Sequence, residues 1–442
     1  MAADVKVLFI SVPGLSQADI NSGSALFMQS LAEDGDFATL APCLPATSCT
    51  SHANMFTGSR AQEHGMVADA FYESLSHEVL SRPQYAGVVK GAKLWDLLKA
   101  RESRALTALL FFEQTKYARA DIVITPDPVV MEDGGLISHC YSRPRSLFAE
   151  LERKLQWFDL ESFEGRDDLQ YSMRWISGAA EYVLKEFNPR LTMVRFPHIE
   201  YAMTKYGPGS REFRKILSSF DAFLGHLVQV FKKDGDPAAV VVASPYSSCA
   251  VDKAVYINRE LRKVGLLSVQ HVGGREVIDF EDSKAFAITD YQVAHVYCRD
   301  ESKEQAAELL GQLGEIQAVL GAAEKHAYGL NHPRSGEFVL LAKPDSWFTY
   351  AWWFEDYLAP SFPRQGSRAK PGCDPLELFM EQGIGFADMP TDTSLVKGSH
   401  GLTPEFGGQA GVLLCDEYAA QELRINRLEL TEVFTLLGHI LR

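Results

Sequence analysis

Seven short apolar runs punctuate the chain, at 5–12 (VKVLFISV), 105–111, 121–125, 191–196 (LTMVRF), 238–244, 285–289 and 338–343. Near-continuous runs of this length read as strands buried on both faces, as in a parallel sheet. Between several of them apolar residues recur at i, i+3, i+4 and i+7, over 93–101, 172–187 and 213–233. That spacing predicts helices with one face turned to a core. Strands alternating with helices specify an α/β fold: a doubly wound, mostly parallel sheet flanked by helices. In such a sheet the functional loops gather at the carboxyl ends of the strands, so Pro13, Glu200 and Pro245 are expected to converge. The chain reads as one domain over 1–442, with an inserted lid or cap segment at 253–330 that carries a helix over 301–321. The aromatic, Pro- and Gly-rich stretch 345–375, with Trp352, Trp353 and Phe354, reads either as a folded surface loop or as the wall of a binding site.

Charge narrows the partners. The 442 residues carry a net charge of −15, which disfavours nucleic acid or an anionic membrane surface. A locally basic pocket for a small anion stays open. Seven scattered cysteines, an odd number without a CxxC pair, fit a reduced, cytoplasmic chain better than a disulfide framework. The opening residues lack a basic region and a cleavage site, so they read as a first buried strand and not as a signal peptide. No apolar run is long enough to span a bilayer.

The chemistry concentrates in four stretches. LFISVPGL closes the first strand. PATSCTSHANMFTGSRAQEHGMVAD (45–69) sets Ser48 in a turn before a helix. FPHIEYAMTKYGPGS (196–210) carries Glu200, Tyr201, Thr204 and Lys205. LVKGSHGLTPE (395–405) carries Lys397 and His400. In this order and spacing the chain resembles the alkaline phosphatase superfamily, in its nucleotide pyrophosphatase/phosphodiesterase and phosphonoacetate hydrolase branch. The resemblance implies an alkaline-phosphatase-like fold and a Ser or Thr nucleophile activated by two zinc-like ions, which lower its pKa and hold attacking and leaving oxygens in line.

Position by position, most of the implied ligands are replaced. Pro13 stands where the family has an Asp, Thr204 where it has a His, and Pro245-Tyr246 where it has an Asp-His pair. Ser48 remains as nucleophile, Glu200 replaces an Asp, and His400 is retained. Catalytic zinc usually has three protein ligands. The expectation is therefore that the two-metal centre is lost and no cofactor is needed, with at most one weakly held divalent ion at Glu200 and His400.

Without the ions, Ser48, His400 and Glu200 can form a serine–histidine–carboxylate arrangement: nucleophile, general base and orienting group. His400 and Glu200 can also serve as an acid/base pair with no covalent step. Ser51, His52, Tyr201, Thr204, Lys205, Tyr246 and Lys397 are the expected substrate-binding residues, in a pocket made by the loops at 13–16, 45–52, 198–206, 244–249 and 397–402. The substrate is a small organic molecule: an ester, a phosphate ester or a biosynthetic intermediate. Two other readings stand beside this one. The first is a pseudoenzyme that binds or scaffolds; the second is a phosphodiesterase or phosphonate hydrolase with unrecognised ligands. Bland roles compete at single positions: Ser48 as helix N-cap, His52 as a packed helix residue, Tyr246 as filler of an emptied volume, Cys49 as an inert buried thiol. The superfamily resemblance also allows a homodimer.

Overall fold

A computed structural model describes residues 5–131, 135–233, 235–363, 370–381, 386–422 and 426–442. Its centre is a sheet of nine strands among the described residues. Five of them run parallel, in the spatial order Ala238–Ser244, Lys6–Ser11, Leu191–Arg195, Thr107–Leu110 and Ile122–Pro126. Cys140–Arg143 pairs antiparallel at one side. On the other side Gly411–Cys415 is antiparallel to both its neighbours, one of which is Asp36–Ala41.

Helices cover both faces, and the alternation along the first strand shows how. Leu8 and Ile10 join the core built with Met173, Ile176, Leu217 and Phe220 of the helices Leu169–Phe187 and Arg211–Lys232. Val7 and Phe9 point the other way, against Trp95, Leu98 and Leu436 of Leu94–Arg101 and Glu432–Ile440. Each fully buried side chain of this kind contributes roughly 1.5–3 kcal/mol. The two long helices start where the sequence offers caps. The Asp168 side chain accepts from the Gln170 amide, and Ser210 Oγ accepts from the Phe213 amide. This is the doubly wound, mostly parallel architecture the apolar runs specify.

Part of the 253–330 segment joins a second sheet, ordered Ile316–Leu320, Phe338–Ala342, Val293–Cys298, Ala285–Asp290 and Gly372–Cys373. Here the structure corrects one sequence expectation. The helix expected over 301–321 is confined to Lys303–Gln312, and Ile316–Leu320 is a strand paired with Phe338–Ala342. Gly314 interrupts the helical pattern, and the pairing partner rewards an extended IQAVL. In the aromatic stretch, Trp352 and Trp353 are buried in the core of this second unit while Phe354 is exposed. Residues 364–369 lie outside the described residues. No helix among the described residues is long and apolar enough to cross a membrane.

Gly372 ties the edge of the second sheet to the chain that follows it. Its φ is 138°, and a Cβ there would stand 2.1 Å from the Thr289 carbonyl oxygen. Gly372→Ala should therefore cost at least about 2 kcal/mol through strain and overpacking. Differential scanning calorimetry checks this, and an unchanged melting temperature would show that the edge yields freely.

Candidate active site

The carboxyl ends of the parallel strands deliver the functional groups. Gly14, just after the first strand, donates its amide to the Tyr246 carbonyl at 3.0 Å. Its φ of 108° brings the backbone so near Glu200 that a Cβ would lie 3.1 Å from the Glu200 Cα. The loops holding Pro13, Glu200 and Pro245 thus meet. Ser48 opens the helix Ser48–Thr57, whose N-cap is Thr47. Ser48 is therefore the first helical residue and not the cap.

Ser48 Oγ accepts a hydrogen bond from Arg195 Nη2 at 2.9 Å. Arg195 ends the strand Leu191–Arg195, and its Nη1 contacts Glu113 Oε1 at 2.8 Å. All three side chains are buried. Burial alone would raise the Glu113 carboxyl. The Arg195 guanidinium, aided by His52, outweighs that and holds it down to about 2. Ser48 thus sits against a guanidinium that an ionised carboxylate fixes in place.

His400 and Glu200 also meet, with Nε2 and Oε1 3.5 Å apart. His400 Nδ1 donates to the Ala46 carbonyl at 3.0 Å, tying the imidazole to the loop that carries Ser48. The Tyr246 hydroxyl donates to Glu200 Oε2 at 2.6 Å. The His400 ring lies between two tyrosines, with centroids 4.7 Å from Tyr246 and 4.0 Å from Tyr291. Burial opposes charge on both groups, but each partner overrides it. Glu200 is held down to about 2 by His400, and His400 is raised above its ordinary value by Glu200. Each partner of this buried pair thus favours the charged form of the other. Ser48 and His400 share no hydrogen bond: the serine faces Arg195, and the imidazole faces Glu200 and Ala46.

Two more carboxyls are buried near the centre: Asp69, just before the strand Ala70–Glu73, and Asp290, at the end of the strand Ala285–Asp290. The Asp69 amide donates to Asp290 Oδ2, and Asp69 Oδ1 accepts from the Cys49 amide, each at 2.7 Å. Burial pushes both carboxyls up; Asp69 raises Asp290 further, while Glu113 and Glu200 add to the rise at Asp69 against the pull of Arg82. Arg82 Nε lies 3.7 Å from Asp69 Oδ2, and Arg82 Nη2 donates to the Tyr291 hydroxyl at 3.1 Å.

A cavity of about 470 Å³ reaches this centre and is lined there by Arg82, Glu113, Arg195, Tyr201 and Tyr291. Its apolar wall includes Val79, Phe111, Leu136 and Phe163. Of the substrate-binding residues the sequence suggested, Tyr201 lines it. Ser51, His52, Thr204 and Tyr246 are buried around the centre instead. Thr204 Oγ1 donates to the Glu200 carbonyl. Lys205 Nζ sits 5.8 Å from the Phe379 ring, and Lys397 is exposed. The cavity opens mainly among 79–85, 111–113, 125–130, 163–166 and 370–378, and of the loops the sequence pointed to it meets 198–206, at Tyr201.

The residues at the family's metal positions do not fit two ions. Pro13, Thr204, Pro245 and Tyr246 bring no carboxylate or imidazole, and one Glu200 oxygen is already taken by the Tyr246 hydroxyl. No three His, Cys, Asp or Glu side chains among the described residues converge as a metal site requires. A permanent cation, the Arg195 guanidinium, already touches Ser48 Oγ.

Comparison with known proteins agrees with this architecture. The profile of a family described as type I phosphodiesterase / nucleotide pyrophosphatase matches residues 7–374. The crystal structure of phosphonoacetate hydrolase from Sinorhizobium meliloti 1021 in complex with phosphonoformate superposes with a TM-score of 0.64 at 14% identity, covering 100% of this chain and 96% of that one. Murine ectonucleotide pyrophosphatase / phosphodiesterase 5, in an inactive form with AMP, gives 0.64 at 13% identity, covering 99% of this chain and 95% of that one. The human counterpart gives 0.62 at 12% identity, covering 99% and 94%. At these identities the structural likeness establishes the fold. No curated protein matches the chain by sequence.

Proposed function

Because the chain belongs to the type I phosphodiesterase / nucleotide pyrophosphatase family, we propose that it hydrolyses small anionic phosphate- or phosphonate-type esters, with Ser48 working against a guanidinium in place of metal ions. The observation that carries this reading is the 2.9 Å contact between Arg195 Nη2 and Ser48 Oγ. A guanidinium locked by a buried carboxylate offers fixed N–H donors where negative charge develops on the attacking and non-bridging oxygens. Arg82, in the same cavity, receives the anionic group of the substrate. As Ser48 Oγ bonds to phosphorus its proton passes to a non-bridging oxygen of the substrate, and His400, whose Nε2 has no hydrogen-bond partner among the described residues, supplies a proton to the leaving oxygen as its bond to phosphorus breaks; water then hydrolyses the phosphorylated serine. The names of the superposing proteins, a phosphonate hydrolase and a nucleotide phosphodiesterase, support the substrate class.

The test uses bis(p-nitrophenyl) phosphate and p-nitrophenyl phenylphosphonate as probes. Turnover of either should survive exhaustive dialysis against a chelator. Loss on chelation with recovery on adding zinc would overturn the guanidinium reading. A second reading, a binding protein without turnover, is favoured by the near-complete burial of Ser48, which is 1% exposed. It predicts that neither probe is cleaved while a small anion still binds in the cavity.

A further inference from the structure

The serine–histidine–carboxylate arrangement expected at Ser48, His400 and Glu200 has a counterpart at three other residues. Ser11 ends the first central strand, and its Oγ lies 2.9 Å from His52 Nε2. The other ring nitrogen, Nδ1, faces Glu113 Oε2 at 3.7 Å. We propose that Ser11, His52 and Glu113 form a metal-free nucleophile, base and orienting carboxylate for small carboxyl esters, with Arg195 stabilising the oxyanion. The proposal is independent of the role given to Ser48.

Nucleophile and base are within hydrogen-bond reach, the first geometric requirement of such a site. The base is oriented by its surroundings. His52 stacks on Phe56 at 5.8 Å and meets the edge of Phe112 at 4.9 Å, centroid to centroid. The negative charge of Glu113 sets the tautomer: a proton on Nδ1 faces the carboxylate, which leaves Nε2 to accept from Ser11. Burial, with Arg195 adding to it, holds His52 below its ordinary value despite Glu113, so the imidazole is neutral and able to take a proton. His52 Nδ1 and Glu113 Oε2 have no hydrogen-bond partner among the described residues. Their gap closes usefully only when the ring becomes charged, which is when a base needs support. Ser11 and Arg195 are register partners on adjacent parallel strands, so their side chains leave the same face of the sheet.

Attack forms the bond from Ser11 Oγ to the ester carbon while the hydroxyl proton moves to His52 Nε2. The same proton then passes to the departing alkoxide as the ester C–O bond breaks. Water repeats the sequence on the acyl-serine, releasing the acid and restoring Ser11. Ser11 and His52 are fully buried, and the cavity meets this chain of groups at Glu113 and Arg195. Reaction therefore requires Arg195 to shift enough for the ester carbonyl to enter between its guanidinium and Ser11, where the guanidinium meets the oxyanion.

A small alkyl fluorophosphonate, incubated with the full chain and followed by intact-mass and peptide mass spectrometry, tests the proposal. Phosphorus bonds to the serine oxygen, fluoride leaves and the proton goes to His52. The expected result is one adduct, on Ser11, forming on the order of 10²-fold more slowly in His52→Gln, the usual scale of general-base assistance. An adduct on Ser48 would overturn the proposal and favour the Ser48 reading. Labelling of neither serine, or of Ser11 at an unchanged rate in His52→Gln, would also overturn it. Mapping on the unaltered chain needs no variant to fold, and the chelation test judges Ser48 separately.

Discussion

Replacing Arg195 by Met is expected to lower hydrolysis of the p-nitrophenyl probes by about 10²–10³-fold, the scale of losing one preorganised donor to a developing oxyanion. The fold should suffer as well, because the same guanidinium compensates Glu113. The side chain of Arg195 is 2% exposed and that of Glu113 is 7% exposed, so removing the cation strands a buried carboxylate. Breaking such a pair from one side typically costs about 3–5 kcal/mol. The sign of the pH dependence follows from the depressed Glu113 value. Its contribution is complete above the ordinary carboxyl value of 4.5 and is lost as pH falls towards about 2. In Arg195→Met burial acts unopposed by the guanidinium, so the carboxyl titrates higher and acidification should recover stability instead of removing it.

The double variant Arg195→Met with Glu113→Gln separates the two roles. It removes the stranded charge and should regain much of the lost stability measured by urea unfolding, without regaining turnover. Arg195→Lys keeps the charge but loses the planar fork that spans Ser48 and Glu113 at once, so intermediate activity is expected. Wild-type turnover in Arg195→Met would remove the guanidinium from the mechanism.

How much of this the sequence disclosed can be traced residue by residue. The five parallel strands were legible because strands buried on both faces read as unbroken apolar runs. The approach of Glu200 to His400 followed from the order of the four stretches that carry the family resemblance, and the structure brings those groups to 3.5 Å. Arg195 was not legible as the partner of Ser48. Inside LTMVRF it looks like the polar end of a strand, and nothing local says that its guanidinium crosses to a helix 147 positions away in sequence. A permanent charge at the end of an otherwise apolar run, with Glu113 at the end of another, was the available signal. His52 was read as a packed helix residue, which is true of its ring; its contacts with Ser11 and Glu113 depend on where two separate strands end. The misplaced helix over 301–321 has the same origin. Composition favoured helix throughout, and only the pairing with Phe338–Ala342, a tertiary contact, makes Ile316–Leu320 a strand.

The buried Glu200–His400 pair leads to the second large effect. Glu200→Gln keeps the shape and still accepts from the Tyr246 hydroxyl, but it leaves His400 without its anion. Burial then dominates and drives the imidazole to its neutral form. At a pH near 6 the variant should lose on the order of 3 kcal/mol, as expected for a buried pair broken from one side. The two partners shape the wild-type stability profile from opposite sides. The contribution of Glu200 is complete above 4.5 and disappears as pH falls towards about 2. That of His400 is complete below 6.5 and disappears as pH rises through its raised folded value. The pair therefore stabilises most between those ordinary values, and Glu200→Gln should flatten the profile there. Catalysis gives an independent readout. A protonated His400 that serves the leaving oxygen makes kcat/KM fall on the alkaline side, and Glu200→Gln should move that limb to lower pH while any remaining activity keeps its acid limb. Titration of the His400 ring proton by NMR should shift in the same direction. An alkaline limb that stays in place while the NMR titration moves would take His400 out of the proton transfer and leave the pair a structural one.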